Sequence, residues 1–182
     1  MRYAQIRSMD ISNGEGVGIA LFVQGCHLRC YNCFNPETHD FNGGKEWTPE
    51  VEDKFIELAS RSYIKRISLL GGECLADKNL DGVLDLVNKI RLLLPEKTIW
   101  LYTGYEWEHI FDQGYHYHPL TVEKLSIGRW RRQKIVKQCD VLIDGRYIDS
   151  LRDVSLKWKG SSNQRVINVQ ESLSQNKIIL YE

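Results

Sequence analysis

The sequence predicts an α/β protein: an open, partial (β/α) barrel on a mostly parallel sheet. Two observations carry this expectation. Short apolar runs of strand length alternate with longer stretches of helical periodicity, the pattern of parallel strands joined by right-handed crossovers. The runs also stop at Gly25-Cys26, Gly71-Gly72-Glu73, Thr103-Gly104 and Asp144-Gly145, and α/β folds gather ligands at the carboxyl ends of their strands. The βα units are too few for a closed eight-fold barrel, so the barrel is expected to stay open.

The elements follow in order. Residues 3–11, with Tyr3, Ile6, Met9 and Ile11, read as a first strand, and Asn13-Gly14-Glu15-Gly16 as a turn. Residues 17–24 are continuously apolar up to Gln24, as a buried strand requires. Thr48-Pro49-Glu50 is a helix start: a capping hydroxyl, a proline in the first turn, then an acid at the positive dipole end. Val51, Phe55, Leu58, Ala59 and Ser62 line one face of that helix. Residues 64–70 form a strand, and 79–93 a helix that Pro95 stops. Residues 98–102 form a strand, 107–111 a short helix and 112–119 a loop holding His116 and His118, expected to face solvent. Residues 121–137 read as helical despite Gly128. A strand at 139–145, a polar loop from Trp158 to Asn163, and strands near 165–169 and 177–181 complete the chain.

At 182 residues the chain is expected to form one domain, 1–182. Lys+Arg and Asp+Glu stand at 24 each, so net charge offers no argument for nucleic acid or an anionic membrane. No apolar run approaches the roughly 20 residues that cross a bilayer. Met1 to Arg7 lacks the apolar core of a signal peptide, which makes the cytoplasm the expected compartment. The basic cluster Arg129, Arg131 and Arg132 is expected on a solvated helix face, with a partner contact as the other reading.

Three of the five cysteines, Cys26, Cys30 and Cys33, sit in one loop at C-x3-C-x2-C spacing. Such clustering points to a metal or redox site rather than a disulfide framework. Three thiolates can hold three irons of a 4Fe–4S cluster, leaving the fourth open to another ligand. Zinc is one alternative, but it prefers four ligands in two separated pairs, and only His27 and His39 lie close by in sequence. A closed electron-transfer cluster is the other, with Cys74 or Cys139 as fourth ligand.

The spacing, its place after a buried strand and the later Gly71-Gly72-Glu73 together resemble the radical S-adenosylmethionine (SAM) superfamily. The match extends through Trp100-Leu101-Tyr102-Thr103-Gly104-Tyr105, Asp140 to Tyr147 and Gly160-Ser161-Ser162-Asn163-Gln164-Arg165-Val166-Ile167. Those blocks resemble the anaerobic ribonucleotide reductase activating proteins, the last two discriminating them from pyruvate formate-lyase activases.

The resemblance implies a partial barrel of the radical SAM type and a glycyl-radical-enzyme activase, an oxidoreductase. A 4Fe–4S cluster on Cys26, Cys30 and Cys33 would reductively cleave SAM. The resulting 5′-deoxyadenosyl radical would take a hydrogen from a glycine of the large catalytic subunit of anaerobic ribonucleotide reductase. An electron donor such as flavodoxin or ferredoxin is implied as a second partner.

Cofactor-binding positions implied by the resemblance are Asn32, Gly71, Gly72, Glu73, Tyr102 and Asp144. Gly71 and Gly72 would meet the methionyl amino group, the alternative being a tight turn. Glu73 would hydrogen-bond that ammonium or form a salt bridge. Tyr102 would face the mouth or the core, and Asp144 would touch ribose or partner or serve a turn. Asn32 stands where many radical SAM enzymes carry an aromatic residue, so adenine packing must come partly from elsewhere. Cys74 replaces a usual proline and reads as a small buried residue or as a thiol near the cluster. Trp158 is either a partner anchor or core. Activation of another glycyl-radical enzyme, or a non-enzymatic iron–sulfur or zinc module, remain the competing functions.

Overall fold

The computed structural model describes residues 1–111 and 122–181, with the backbone alone for 122–126. His116 and His118 lie outside the described residues. Strands are β1 (Arg2–Asp10), β2 (Gly18–Val23), β3 (Lys45–Glu46), β4 (Arg66–Gly71), β5 (Thr98–Tyr102), β6 (Val141–Asp144) and β7 (Arg165–Asn168). Helices are α1 (Pro49–Ala59), α2 (Leu80–Leu93), α3 (Trp107–Phe111), α4 (Val122–Val136) and α5 (Val169–Gln175).

One open sheet carries the strands in the order β3-β1-β2-β4-β5-β6-β7. β2, β4, β5 and β6 are parallel neighbours. β1 and β3 on one edge and β7 on the other pair antiparallel. The parallel arrangement therefore holds in the centre, where crossover helices connect the strands, and reverses at the edges. Register brings Val23 beside Gly71 and Tyr102 beside Ile143, so the carboxyl ends of the central strands share one side.

The two faces of the sheet separate by strand alternation. Ile19, Leu21, Val23, Ile67, Leu69, Ile99, Leu101 and Leu142 join the main core with Phe55 of α1 and Val83, Leu86, Val87 and Ile90 of α2. Ala20, Phe22, Leu70, Trp100, Val141, Ile143 and Val166 occupy the opposite face, where Trp158, Tyr181 and Tyr102 pack. Both faces are covered, which explains why β2 reads as an unbroken apolar run. At the start of α1, Thr48 Oγ1 accepts from Val51 N at 3.4 Å, a cap that contributes about 1 kcal/mol.

A charged residue interrupts the apolar pattern of β4. Arg66 is fully buried and pairs with Asp10 at 3.1 Å. It also donates to the Asn13 carbonyl at 2.6 Å, the Asp10 carbonyl at 2.8 Å and the Ser68 hydroxyl. These bonds tie the 13–16 turn onto the amino end of β4, the end away from the cysteine loop.

The tail departs from expectation. Residues 177–181 form no strand; they add an isolated bridge between Ile167 and Leu180 and a bond from Tyr181 N to Val166 O at 2.8 Å. Between them and β7 lies α5, capped by Asn168 Oδ1 accepting from Glu171 N at 3.2 Å and closed by left-handed Asn176. Its seven residues are too few to show a helical stripe, so sequence periodicity misses it.

Candidate metal centre

The cysteine loop leaves β2 at the carboxyl edge of the sheet. Gly25 N donates to Thr38 O at 2.8 Å and Cys26 N to His39 O at 3.1 Å, so the two ends of the loop are stitched together. Between the cysteines, Arg29 and Asn32 both adopt left-handed backbone angles, φ 46° and 51°. Such angles cost about 1 kcal/mol each and are most tolerable at Asn.

Cys26, Cys30 and Cys33 are free and half-buried. All three line one cleft of about 520 Å³ together with Gly71, Gly72, Glu73, Tyr102, Thr103 and Gly104 from the strand ends. Trp158, Lys159, Gly160 and Gln164 form another wall. The structure thus brings together the three cysteines and four of the six expected cofactor positions. Asn32 and Asp144 are not among the cleft-lining residues.

Burial pushes the Cys26 thiol up, against partial relief from the Leu28 and Arg29 backbone amides. Burial does the same at Cys33, whose sulfur accepts from Asn35 N at 3.4 Å. A bound cation favours the thiolate form of buried thiols. Among the described residues, no three His, Cys, Asp or Glu side chains converge on the position of one ion. Thiolate donors with amide hydrogen bonds to sulfur, on a cleft open to a second molecule, fit an iron–sulfur cluster bound by three cysteines.

The Gly-Gly-Glu turn is close-packed against this loop. Gly71 has φ 97°, a left-handed angle suited to glycine. A side chain at Gly72 would begin 2.6 Å from Gly25 O, inside any permitted contact. Gly72 N and Glu73 N donate to Val23 O at 2.7 Å and Gly25 O at 2.9 Å. Asn79, which sequence reasoning missed, donates from one buried amide to the carbonyls of Gln24, Gly25 and Glu73 at 3.1, 3.3 and 3.0 Å. A polar residue one position before an apolar helix is a weak sequence signal, since most such residues are simple caps.

Glu73 is 2% exposed. Its carboxylate accepts from Thr103 Oγ1 at 2.7 Å, Leu75 N at 2.8 Å and Gly104 N at 2.8 Å. Burial raises its carboxyl above the usual range, and these hydrogen bonds hold the rise in check. Tyr102 lines the cleft with a buried hydroxyl that has no hydrogen-bond partner, and burial pushes that phenol upward.

The structure places the residues whose readings were open, with Cys74 as the small buried residue and Arg132 off the solvated face. Cys74 is fully buried in the main core, and its sulfur faces the Leu70 carbonyl at 3.9 Å. Burial pushes its thiol well up, and it does not line the cleft. Asp144 is buried; its oxygens accept from Arg165 at 2.9 and 2.5 Å and from Trp107 N at 2.8 Å. Arg132 is no solvated face residue: its side chain is 13% exposed, pairs with Asp77 at 2.5 Å and donates to Leu75 O at 2.9 Å. Trp158 packs edge-on against Trp100 at 4.9 Å, so it serves both core and cleft wall.

Three half-buried thiols on a strand-end cleft point to an iron–sulfur domain protein. In agreement, residues 12–167 match a family model described as a 4Fe-4S single cluster domain. The chain is 37% identical over 168 residues to the anaerobic ribonucleoside-triphosphate reductase-activating protein of Escherichia coli K12, covering 91% of this chain and 97% of the relative. The protein of that name from Vibrio cholerae is 36% identical over 166 residues, covering 90% and 96%. Its namesake from Enterobacteria phage T4 is 33% identical over 166 residues, covering 91% and 93%. The chain belongs to the family of anaerobic ribonucleoside-triphosphate reductase-activating proteins.

Proposed function

We propose that this chain is a radical SAM activase of a single partial-barrel domain, which installs the glycyl radical of anaerobic ribonucleotide reductase. The observation that carries this reading is the convergence of Cys26, Cys30 and Cys33 with Gly71, Gly72 and Glu73 on one cleft. The names of the relatives support the choice of target. When bound, a 4Fe–4S cluster supplies one electron to SAM, whose cleavage yields methionine and the 5′-deoxyadenosyl radical that takes hydrogen from the target glycine.

The chain's own residues contribute binding, orientation and exclusion of water. Cys26, Cys30 and Cys33 hold the cluster as thiolates, stabilised by amide hydrogen bonds to Cys26 and Cys33. Gly71 and Gly72 keep side chains out of the space beside the loop. Glu73 has about four lone-pair sites, of which the structure fills three. The remaining one suits the ammonium of SAM. Tyr102 offers an unpartnered hydroxyl on the same wall. Asn32 and Asp144 do not line the cleft; Asn32 bonds to Asp149 and Asp144 to Arg165.

The test is anaerobic. The chain is reconstituted with iron and sulfide, reduced with dithionite and given SAM, and methionine and 5′-deoxyadenosine are measured. The large reductase subunit is then added and its radical followed by electron paramagnetic resonance (EPR). Expected are four irons per chain, a signal altered by SAM and a glycyl-radical doublet on the reductase. A colourless zinc protein without SAM cleavage overturns the reading. A doublet on a formate-lyase-type enzyme but not on the reductase overturns the target.

A further inference from the structure

Cys33 is flanked in the chain by two residues linked to the same distant carboxylate, Asn32 directly and Phe34 through Tyr147. On one side, Asn32 Nδ2 donates to Asp149 Oδ2 at 3.1 Å. On the other, the Phe34 ring packs on the Tyr147 ring at 4.9 Å, and the Tyr147 hydroxyl donates to Asp149 Oδ1 at 2.7 Å. One side chain therefore braces both neighbours of the third thiol. We propose that Asp149 is a positioning residue for Cys33, acting through Asn32 and through Tyr147 and Phe34 to hold that sulfur on the cleft wall.

The segment that carries Asp149 is itself firmly placed. Gln164 accepts from Gly160 N at 2.9 Å and donates to Gly145 O at 2.9 Å, closing the 145–164 excursion at its base. Ser162 N donates to Leu151 O at 2.9 Å, and the Ser161 hydroxyl accepts from Ile148 N at 3.2 Å. Arg146, at the start of the excursion, donates to Leu28 O at 2.7 Å in the cysteine loop. Gly160 meets Phe34 so closely that a side chain there would begin 2.6 Å from the ring. The loop needs such external support because Asn32 holds a left-handed angle one position before Cys33. Residues that orient metal ligands from outside govern how tightly those ligands hold the metal.

The inference rests on the reading of Cys26, Cys30 and Cys33 as cluster ligands, and its test separates the two. In the first arm, metal-free full-length chain is briefly treated with iodoacetamide, and alkylation at each cysteine is quantified by peptide mass spectrometry. Asp149→Ala is expected to raise alkylation of Cys33 severalfold relative to Cys26. In the second arm, the reconstituted variant is expected to show a broadened EPR signal and iron loss to a chelator about tenfold faster. Asn32→Ala and Tyr147→Phe each remove one brace and are expected to fall between. Asp149→Asn, which retains an acceptor, is expected to restore part of the effect. Should Asp149→Ala fail to fold, the Asn32→Ala/Tyr147→Phe double variant takes its place. An unchanged Cys33-to-Cys26 ratio together with unchanged iron loss overturns the proposal, as does an equal rise at both cysteines. If the unmodified chain binds no iron, the cluster reading fails, and the alkylation ratio alone decides the role of Asp149.

Discussion

Glu73 accepts a hydrogen bond from the Thr103 hydroxyl at 2.7 Å, a bond that joins the ends of two parallel strands on the cleft wall. Leu75 N and Gly104 N add bonds at 2.8 Å each. The acid is thus both a structural clamp and, among the described residues, the one buried carboxylate on the cleft wall. Charge and shape separate in its amide variant.

Glu73→Gln keeps the volume but turns an N–H toward a group that also donates. A buried donor left unmatched costs about 1–3 kcal/mol. Urea unfolding of the metal-free protein is expected to show that loss. SAM affinity is expected to fall by about tenfold or more, the scale of one hydrogen bond to a charged group. Unaltered SAM binding, measured by the EPR change, would place the ammonium elsewhere.

The five cysteines divide into two sets. Replacing Cys26, Cys30 or Cys33 by alanine is expected to abolish four-iron incorporation and SAM cleavage. Cys74→Ala and Cys139→Ala are expected to retain both, with a stability loss of about 1 kcal/mol, the scale of one buried methylene-sized group. Iron and sulfide analysis beside a thermal melt distinguishes the sets. Cluster loss in Cys74→Ala without destabilisation would return that thiol to the site.

Gly72→Ala places a methyl group where the backbone of Gly25 already stands. The ends of β2 and β4 must separate for it to fit, and the bonds from Gly72 N and Glu73 N must lengthen. The expected outcome is a folded protein destabilised by about 1–3 kcal/mol, as overpacking commonly does. SAM cleavage should fall further than iron content. Equal losses of both would indicate simple unfolding.

The Asp10–Arg66 pair predicts an acid-sensitive turn. Burial pushes the Asp10 carboxyl up, but hydrogen bonds from Asn13 and Arg66 outweigh it and leave it below the ordinary 3.8. A depressed folded value means that its stabilisation is complete above pH 3.8 and is lost as pH falls through the folded value. Asp10→Asn leaves Arg66 buried without its counter-charge and is expected to cost about 3 kcal/mol at pH 7. Its deficit relative to the unmodified protein should be smaller at a strongly acidic pH than at pH 7, because the native carboxylate also becomes neutral as pH falls through its lowered folded value. Urea midpoints for both proteins at the two pH values test this; a constant deficit would refute it.

Much of the architecture was legible along the chain. The buried runs of β2, β4, β5 and β6 and the stripes of α1 and α2 carry their periods locally, and their order implies the parallel centre. The cysteine spacing and the Gly-Gly-Glu turn marked the candidate site because both need unusual residues at fixed intervals. Less legible were α5, too short to show a stripe, and the antiparallel edges, which connection length alone does not dictate. Arg66 in a central strand also runs against pattern, since its burial depends on Asp10 and Asn13 arriving from another part of the chain.

The sequence by itself determined the α/β class, the three-thiol loop and the strand ends that surround it, because periodicity, spacing and glycine placement act over a few residues. Tertiary structure decided which charged and reactive groups are free. It sank Cys74 into the core, committed Asp144 to Arg165 and Arg132 to Asp77, and set Asp149 against Asn32 across a separation of 117 positions. Contacts of that range leave no local period, and only the folded chain makes them.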